Sequence, residues 1–520
     1  MSKITNAAIS LMIATMLSKG LGFIRELCLA SSYGASTYSD AYLIAINIPL
    51  VIFSSIAMAL GTSYIPMFCD IRQKSGEQEA IKFSNNLINI VAILCAILAI
   101  IGCIFAQPLV KVFAMGFEGE TLRIATEFTR ILLFGIIFIG INDIIMPFLQ
   151  IKENFIIPGI VGIPYNLVII VSIFISLKYG IKVLVYGTLF AIIAKVLFQI
   201  PFAKKKGYCY KPYINLKDEN IKTLILLVAP VFVGVAVNQV NGLVDRTLAS
   251  TLAEGSISAL NYANKLNEFV MGLFIVSVTS VIYPMLSKLS AENNKEEFID
   301  SIVKSVNGVM LLVLPISVGA MSLATPIVRL LFQRGAFDER ATEMTAIALF
   351  FYAIGMVGFG LRDIISRVFY SIQDTKTPMI NGAIAMGLNI VLNIVLVRYM
   401  KHAGLALATS ISAIICIILL FRSLKKKIGY FGQDKILKVF FKSIISSIIM
   451  GAVVLVTYGM VNTIVSSSSL IGQVISLGIA VLVGIVVYGV CIIVFKVEEV
   501  TDFIKMIKTK LKRSNLKEVC

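Results

Sequence analysis

The sequence predicts an all-α polytopic membrane protein of about fourteen transmembrane helices: two pseudo-symmetric six-helix lobes followed by two C-terminal helices. Three observations predict it. Of 520 residues, 58% are hydrophobic and 14% charged, with a mean hydropathy of +0.92, whereas roughly a quarter of the residues of a soluble domain are charged. Apolar runs of around 20 residues recur from end to end, each long enough to cross a hydrocarbon core of about 30 Å. Finally, the chain repeats itself.

The apolar runs centre near residues 18, 53, 95, 138, 167, 191, 236, 272, 316, 356, 388, 412, 450 and 482. The first six make an N-terminal lobe over 1–202, joined by a cytoplasmic linker at 203–221 to a C-terminal lobe of six helices over 222–424. Two additional helices occupy 425–496, and a basic cytoplasmic tail follows at 497–520. The opening "MSKITNAAISLMIATMLSKG" resembles a signal peptide in its one early lysine and long apolar run. No small-x-small site ends it, and removal would cost the repeat its first helix, so it is expected to be retained.

The repeat pairs Arg25 with Arg246, Gly34 with Gly255 and Pro66 with Pro284. "QPLVKVF" at 107–113 matches "TPIVRLL" at 325–331, Asp143 stands opposite Asp363, and Pro158 opposite Pro378. Doubled membrane helices with ionisable residues at corresponding positions are the pattern of a transporter whose substrate sits between two repeats.

The net charge of +17 does not point to nucleic acid. Lys204–Lys206, Lys425–Lys427 and the tail with Lys505, Lys508, Lys510, Lys512 and Arg513 fall on one side of the helix count, whereas 31–40, 252–257 and 462–468 carry no Lys or Arg. The positive-inside rule places both termini in the cytoplasm, and the basic segments suit anionic lipid. Eight cysteines show no C-x-x-C and read as packing residues. With one histidine, His402, neither a His-based triad nor a His-rich metal site is available, and no phosphate-binding G-x-x-x-x-G-K-[ST] loop occurs. Neither an acid/base nor a metal constellation for an enzyme is apparent.

An ionisable side chain at bilayer depth costs about 2.5–3.5 kcal/mol on insertion scales and so marks a functional candidate. The first helix holds Lys19, Arg25 and Glu26, with Gly20 and Gly22 between them. In an unbroken helix Lys19 and Arg25 point roughly 120° apart, and a bend at the glycines would turn both to one cavity. Mutual neutralisation of Arg25 and Glu26 is the plainer alternative. Asp40 opens the second helix, where a carboxylate also serves as a cap. In the second repeat, Lys265 and Glu268 are three residues apart on one helical face, and Asp245-Arg246 lies in the preceding helix. Lys19, Arg25, Arg246 and Lys265 together exceed what Glu26, Asp245 and Glu268 pair locally, and such a surplus suits an anionic ligand, a phosphate above all. Asn389 and Asn393, four residues apart, with Thr409 and Asp245, offer oxygen ligands to a small monovalent cation; hydrogen bonding between helices is the alternative use.

At these residues the chain resembles the MurJ (MviN) family of lipid II flippases, within the multidrug/oligosaccharidyl-lipid/polysaccharide exporter superfamily. The shared words are "LGFIRE" (21–26), "GASTYSDAYLIAINIP" (34–49), "VDR" (244–246), "SALNYANKLNEF" (258–269), "LLFQRGAFDE" (330–339), "DTKTP" (374–378) and "GLALATS" (404–410). The resemblance implies a flippase, not an enzyme, in the bacterial cytoplasmic membrane. Undecaprenyl-pyrophosphate-linked peptidoglycan precursor would move from inner to outer leaflet by alternating access. Its expected partners are lipid II, membrane lipids and other cell-wall synthesis proteins, with no nucleic acid. It places substrate binding on Lys19, Arg25, Glu26, Asp40, Lys265 and Glu268. It places a sodium site on Asp245, Asn389, Asn393 and Thr409, with no cofactor expected beyond that ion, and membrane potential is the alternative driving force. Lys replaces the family's more usual Arg at 19 and 265, Leu50-Val51-Ile52-Phe53 stands where basic residues are common, and Asn393 stands where a sodium-site member has Asp. A polysaccharide-lipid or drug exporter of the same superfamily, and a membrane scaffold, are the rival readings; a scaffold has no reason to keep buried cations.

Overall fold

In hydrocarbon every backbone amide must find its partner inside the chain, and helices are the simplest solution. The computed structural model describes residues 3–292, 294–465 and 469–501, and these are helical almost throughout, with no strand among them. In chain order the helices are α1 (Lys3–Tyr33), α2 (Thr37–Ser75), α3 (Glu77–Ile104), α4 (Ala106–Phe113), α5 (Gly119–Leu133), α6 (Gly135–Ile151), α7 (Ile156–Ile160), α8 (Gly162–Tyr179) and α9 (Lys182–Lys205). They continue as α10 (Glu219–Ser250), α11 (Ser256–Ala291), α12 (Lys295–Ser322), α13 (Ala324–Phe332), α14 (Glu339–Ser371), α15 (Lys376–Ile428), α16 (Gln433–Ile464) and α17 (Leu470–Val494). Most of the expected basic tail, from residue 502 with its Lys505–Arg513 cluster, lies outside the described residues.

Eight of these helices are long and apolar enough to cross a membrane, or nine if the bent pair α5 and α6, meeting at 40°, is one span. One break hides a further rod, and another interrupts a single span. Lys401, at φ 52°, divides α15 into an antiparallel pair of helices, and α7 runs on into α8 as one span. With α5–α6 and α7–α8 each taken as one rod and α15 as two, and the short α4 and α13 set aside, fourteen rods result among the described residues, and every expected centre falls inside one.

The short α4 and α13 occupy equivalent places in the two repeats and explain the match of their sequences. Each is amphipathic, burying Ala106, Val110 and Phe113 in one case and Ala324, Val328 and Phe332 in the other. That stripe recurs every three to four residues, the period of a helix with one face on a core.

The chain forms two compact units, Met1–Ser258 with Arg334–Asp338, and Ala259–Gln333 with Glu339–Cys520. In the first, α1 packs on α7 and α8, while α2 packs against α5, α6 and α10. Its turns explain why the repeat keeps glycine at 34 and 255. Both have positive φ, +62° and +83°, and a Cβ on Gly34 would lie 2.3 Å from the Ala336 carbonyl oxygen, one on Gly255 2.4 Å from that of Ala35. Only glycine combines that conformation with so close a backbone approach. Asp40 belongs to the same turn. The cap of α2 is Ser36, in a reciprocal capping box with Ser39, and Asp40 reaches instead to the start of α11, accepting from the Gly255 and Ser258 amides, each at 2.8 Å, and from the Ser258 hydroxyl at 2.5 Å.

In the second unit α12 packs with α14 and α16, and α14 with α15, around a core that includes Ile302, Val306, Val313, Ile364 and Val368. The two halves of α15 are fastened at their far ends. Asp374 caps the first half, accepting from the Thr377 amide at 3.0 Å and hydroxyl at 2.6 Å, and pairs with Lys427 at the end of the second half. Lys427, then the two Thr377 donors, hold the Asp374 carboxyl well below the usual carboxylate range. Because the folded-state pKa is depressed, the contribution of this clamp is complete at neutral pH and declines as pH falls below about 4 toward the folded-state pKa. Asp374→Asn should therefore lower thermal stability at pH 7 and weaken its further fall on acidification, read from unfolding curves in detergent between pH 7 and pH 3. An unchanged acid limb would count against the clamp.

Candidate functional site

Helix α1 carries the densest set of predicted residues, and its ladder runs without a break through Gly20 and Gly22. The bend expected there does not interrupt the helix. Gly22 instead leaves space for the neighbouring helix, a Cβ at that point lying 3.6 Å from the Asn166 side chain. The consequence follows from helical geometry: Lys19 and Arg25 point in different directions. Lys19 is exposed and makes no ion pair among the described residues, whereas Arg25 turns into α8.

Arg25 is enclosed by acceptors of three kinds. Its guanidinium donates to Glu26 Oε1 at 2.5 Å and to Asn166 Oδ1 at 3.1 Å, and its Cζ lies 5.6 Å from the centre of the Tyr165 ring. Asn166 is held in turn by donating to the Ser18 carbonyl at 3.3 Å. The Glu26 side chain is only 6% exposed and that of Arg25 20%, so the pair is mostly out of water and derives its stability from this full set of partners rather than from charge alone.

The polar track continues through residues of which the sequence reading singled out only Asp143, by its place in the repeat. Lys195 on α9 places its Nζ 5.6 Å from the same Tyr165 ring centre, and Asp143 lies on α6. Asn142 donates to Asp143 Oδ1 at 2.7 Å, and Gln199 donates to Asn142 Oδ1 at 2.8 Å. Arg25 and Lys195 thus share one aromatic ring, and Arg25 is paired with a carboxylate. The signal for Lys195 was present: it is an ionisable residue in the apolar run "AIIAKVLFQI", the criterion that selected Lys19. Tyr165 and Asn166 gave no such signal, because neither is charged.

On α11, Lys265 and Glu268 pair at 2.7 Å as their spacing requires, and Asn264 donates to the other Glu268 oxygen at 2.9 Å. This pair is far more open, with side chains 35% and 54% exposed. Asp245 and Arg246 are half-buried near the end of α10. On the two halves of α15, Asn393 donates to Asn389 Oδ1 at 2.9 Å, and Asn389 approaches the Thr409 hydroxyl at 3.5 Å. Thr409 donates to the Leu405 carbonyl at 2.9 Å, which leaves its oxygen lone pairs for an acceptor role. The three side chains form one cluster of neutral oxygen donors, Asn389 and Asn393 buried and Thr409 half-buried, a donor set of the hardness that suits an alkali cation.

The lipid II flippase MurJ family model matches residues 29–475. This chain belongs to the lipid II flippase MurJ family. It is 30% identical over 427 residues to a probable lipid II flippase MurJ of Buchnera aphidicola, covering 81% of this chain and 83% of that protein. A solved lipid II flippase MurJ in an inward closed conformation superposes with a TM-score of 0.80 at 30% identity, covering 95% of this chain and 100% of that one. An inward-facing multidrug MATE transporter shares the fold at 16% identity and a TM-score of 0.66, covering 82% of this chain and 99% of that one. The protein is accordingly a multi-pass membrane protein of a transporter family, as its hydropathy and repeat led one to expect.

The two ion pairs on α1 and α11 should respond differently to loss of the carboxylate. Glu26→Gln leaves a mostly buried guanidinium without its counter-charge and should cost about 3 kcal/mol. Glu268→Gln, at a solvated pair, should cost less than about 1 kcal/mol. Denaturation of the two purified variants beside the parent checks the ranking, and equal losses would show that the Arg25 environment is not the closed one described.

Proposed function

We propose that this chain translocates lipid II from the inner to the outer leaflet of the bacterial cytoplasmic membrane, both termini cytoplasmic, with the two repeats (1–202 and 222–424) acting as lobes in alternating access. The reading rests on one observation above all: a guanidinium held at a defined place on the first membrane helix, Arg25 between Glu26, Asn166 and Tyr165. A diphosphate-linked lipid needs such a fixed, bidentate donor. Lys19, exposed on the same helix, and Lys265, half-exposed on α11, supply mobile point charges. Glu26 and Glu268 keep Arg25 and Lys265 in place in the absence of substrate, and Asp40 acts at one remove, by holding the turn at 255–258.

Transport of a pyrophosphate-linked lipid into inverted membrane vesicles tests this reading. Arg25→Ala should abolish it with membrane insertion intact, Lys265→Arg should be tolerated, and Lys265→Glu should fail. Wild-type transport by Arg25→Ala would remove the guanidinium from the mechanism.

Sodium is the proposed coupling ion, with Asn389, Asn393 and Thr409 as neutral oxygen donors and Asp245 as the one carboxylate. When bound, the ion would supply charge neutralisation and nothing more. A carboxylate at 393 adds a harder, charged ligand, and higher ligand charge binds a cation more tightly. The parent should therefore respond weakly to sodium and Asn393→Asp more strongly, measured as transport rate against sodium concentration at fixed membrane potential. Collapse of parental transport on sodium withdrawal would show that the asparagine already suffices.

A further inference from the structure

The segment between α9 and α10 has no regular structure, yet it is fastened along its length to α3 by three asparagines. Asn85 donates to the Cys209 carbonyl at 2.9 Å and accepts from the Tyr208 hydroxyl at 2.7 Å. Asn86 pairs with Asn215 as one peptide group pairs with another, donating to its carbonyl at 2.9 Å and accepting from its amide at 2.8 Å. Asn89 donates to the Tyr213 carbonyl at 3.0 Å and accepts from the Tyr210 hydroxyl at 2.7 Å. Lys82, one turn earlier on α3, lies over the Tyr213 ring at 5.2 Å.

These contacts grip mainly backbone carbonyls and hydroxyls, so the strap's aliphatic and cationic side chains are left facing out. Ile214 is 55% exposed and Leu216 68%, and Lys211 and Lys217 beside them are exposed too. Lys204, Lys205 and Lys206, also exposed, end the membrane helix that leads into the strap. The acidic residue nearest this patch, Asp218, is engaged, capping α10 and accepting from Asn86. Ordered aliphatic side chains among lysines, continuous with a membrane-spanning helix, have the make-up of a segment lying in a headgroup layer.

We propose that residues 207–217 are an interfacial strap: Ile214 and Leu216 insert at the headgroup boundary of an anionic leaflet, Lys211 and Lys217 bind lipid phosphates, and the asparagines of α3 hold the segment at that depth. The proposal is independent of what the protein transports.

The chain has no tryptophan, so Leu216→Trp or Ile214→Trp supplies a single fluorescent reporter at an exposed position that the packing does not depend on. The full chain in nanodiscs of phosphatidylcholine, with and without phosphatidylglycerol, is compared with discs in which either lipid carries bromine. Blue-shifted emission quenched by brominated lipid, more strongly when the brominated lipid is phosphatidylglycerol, is the expected result. Lys211→Gln and Lys217→Gln should each lower that anionic preference about fivefold. Asn89→Ala, which frees one anchor, should weaken quenching at both reporters. Red, unquenched emission means the strap faces water, and blue emission indifferent to bromine means it is buried against protein or bound by a partner; either overturns the proposal. Quenching without preference for the anionic lipid, unaffected by loss of the lysines, overturns its electrostatic half.

Discussion

Removing a polar group from water without giving it a partner costs several kilocalories per mole, and nearly every feature of this molecule answers to that cost. The backbone meets it by closing its amides into helices. Where a rod is broken, as at Lys401 in α15 or between α5 and α6, short turns restore the pairing within a few residues. Charges largely removed from water meet the same cost by accumulation of partners: Arg25 has a carboxylate, an amide and an aromatic face at once, and Lys195 shares that aromatic face.

Side-chain amides do much of this work. Asn166 links Arg25 to the Ser18 carbonyl, Asn142 links Gln199 to Asp143, Asn393 leans on Asn389, and Asn85, Asn86 and Asn89 fasten a whole connecting segment. An amide both donates and accepts without carrying charge, so it joins elements in low dielectric without the desolvation cost of an ion pair. That makes asparagine hard to interpret from sequence. The same residue type serves as a structural tie on α3, as a positioning group on α8 and, in the proposed sodium site, as a ligand.

The repeat shows which requirements were doubled and which were not. Glycine at 34 and 255, and the amphipathic short helices α4 and α13, recur because turn geometry and burial of a helical stripe are demanded in both copies. The polar interior is doubled only in part: Arg25 and Asp143 have counterparts in Arg246 and Asp363, whereas Tyr165, Asn166 and Lys195 belong to the first copy and the uncharged cluster of Asn389, Asn393 and Thr409 to the second. A transporter built from two copies is free to differentiate its interior while keeping its hinges and turns, and the offset in chemistry follows from that freedom.

Hydropathy by itself determined the helical class and where the apolar runs fall along the chain, because spanning length and apolarity are local properties of each run. The family words carried the flippase expectation, and the i, i+3 spacing of Lys265 and Glu268 determined their pairing, since one helical turn brings them together whatever surrounds it. Only the tertiary structure decided that Arg25 turns to α8 while Lys19 stays exposed, that Asp40 serves the start of α11 rather than the helix it opens, and that Lys195 and Tyr165 join the Arg25 cluster. Each of these depends on which helix lies alongside, a partner far along the chain, and such a partner leaves no periodicity in the sequence to be read.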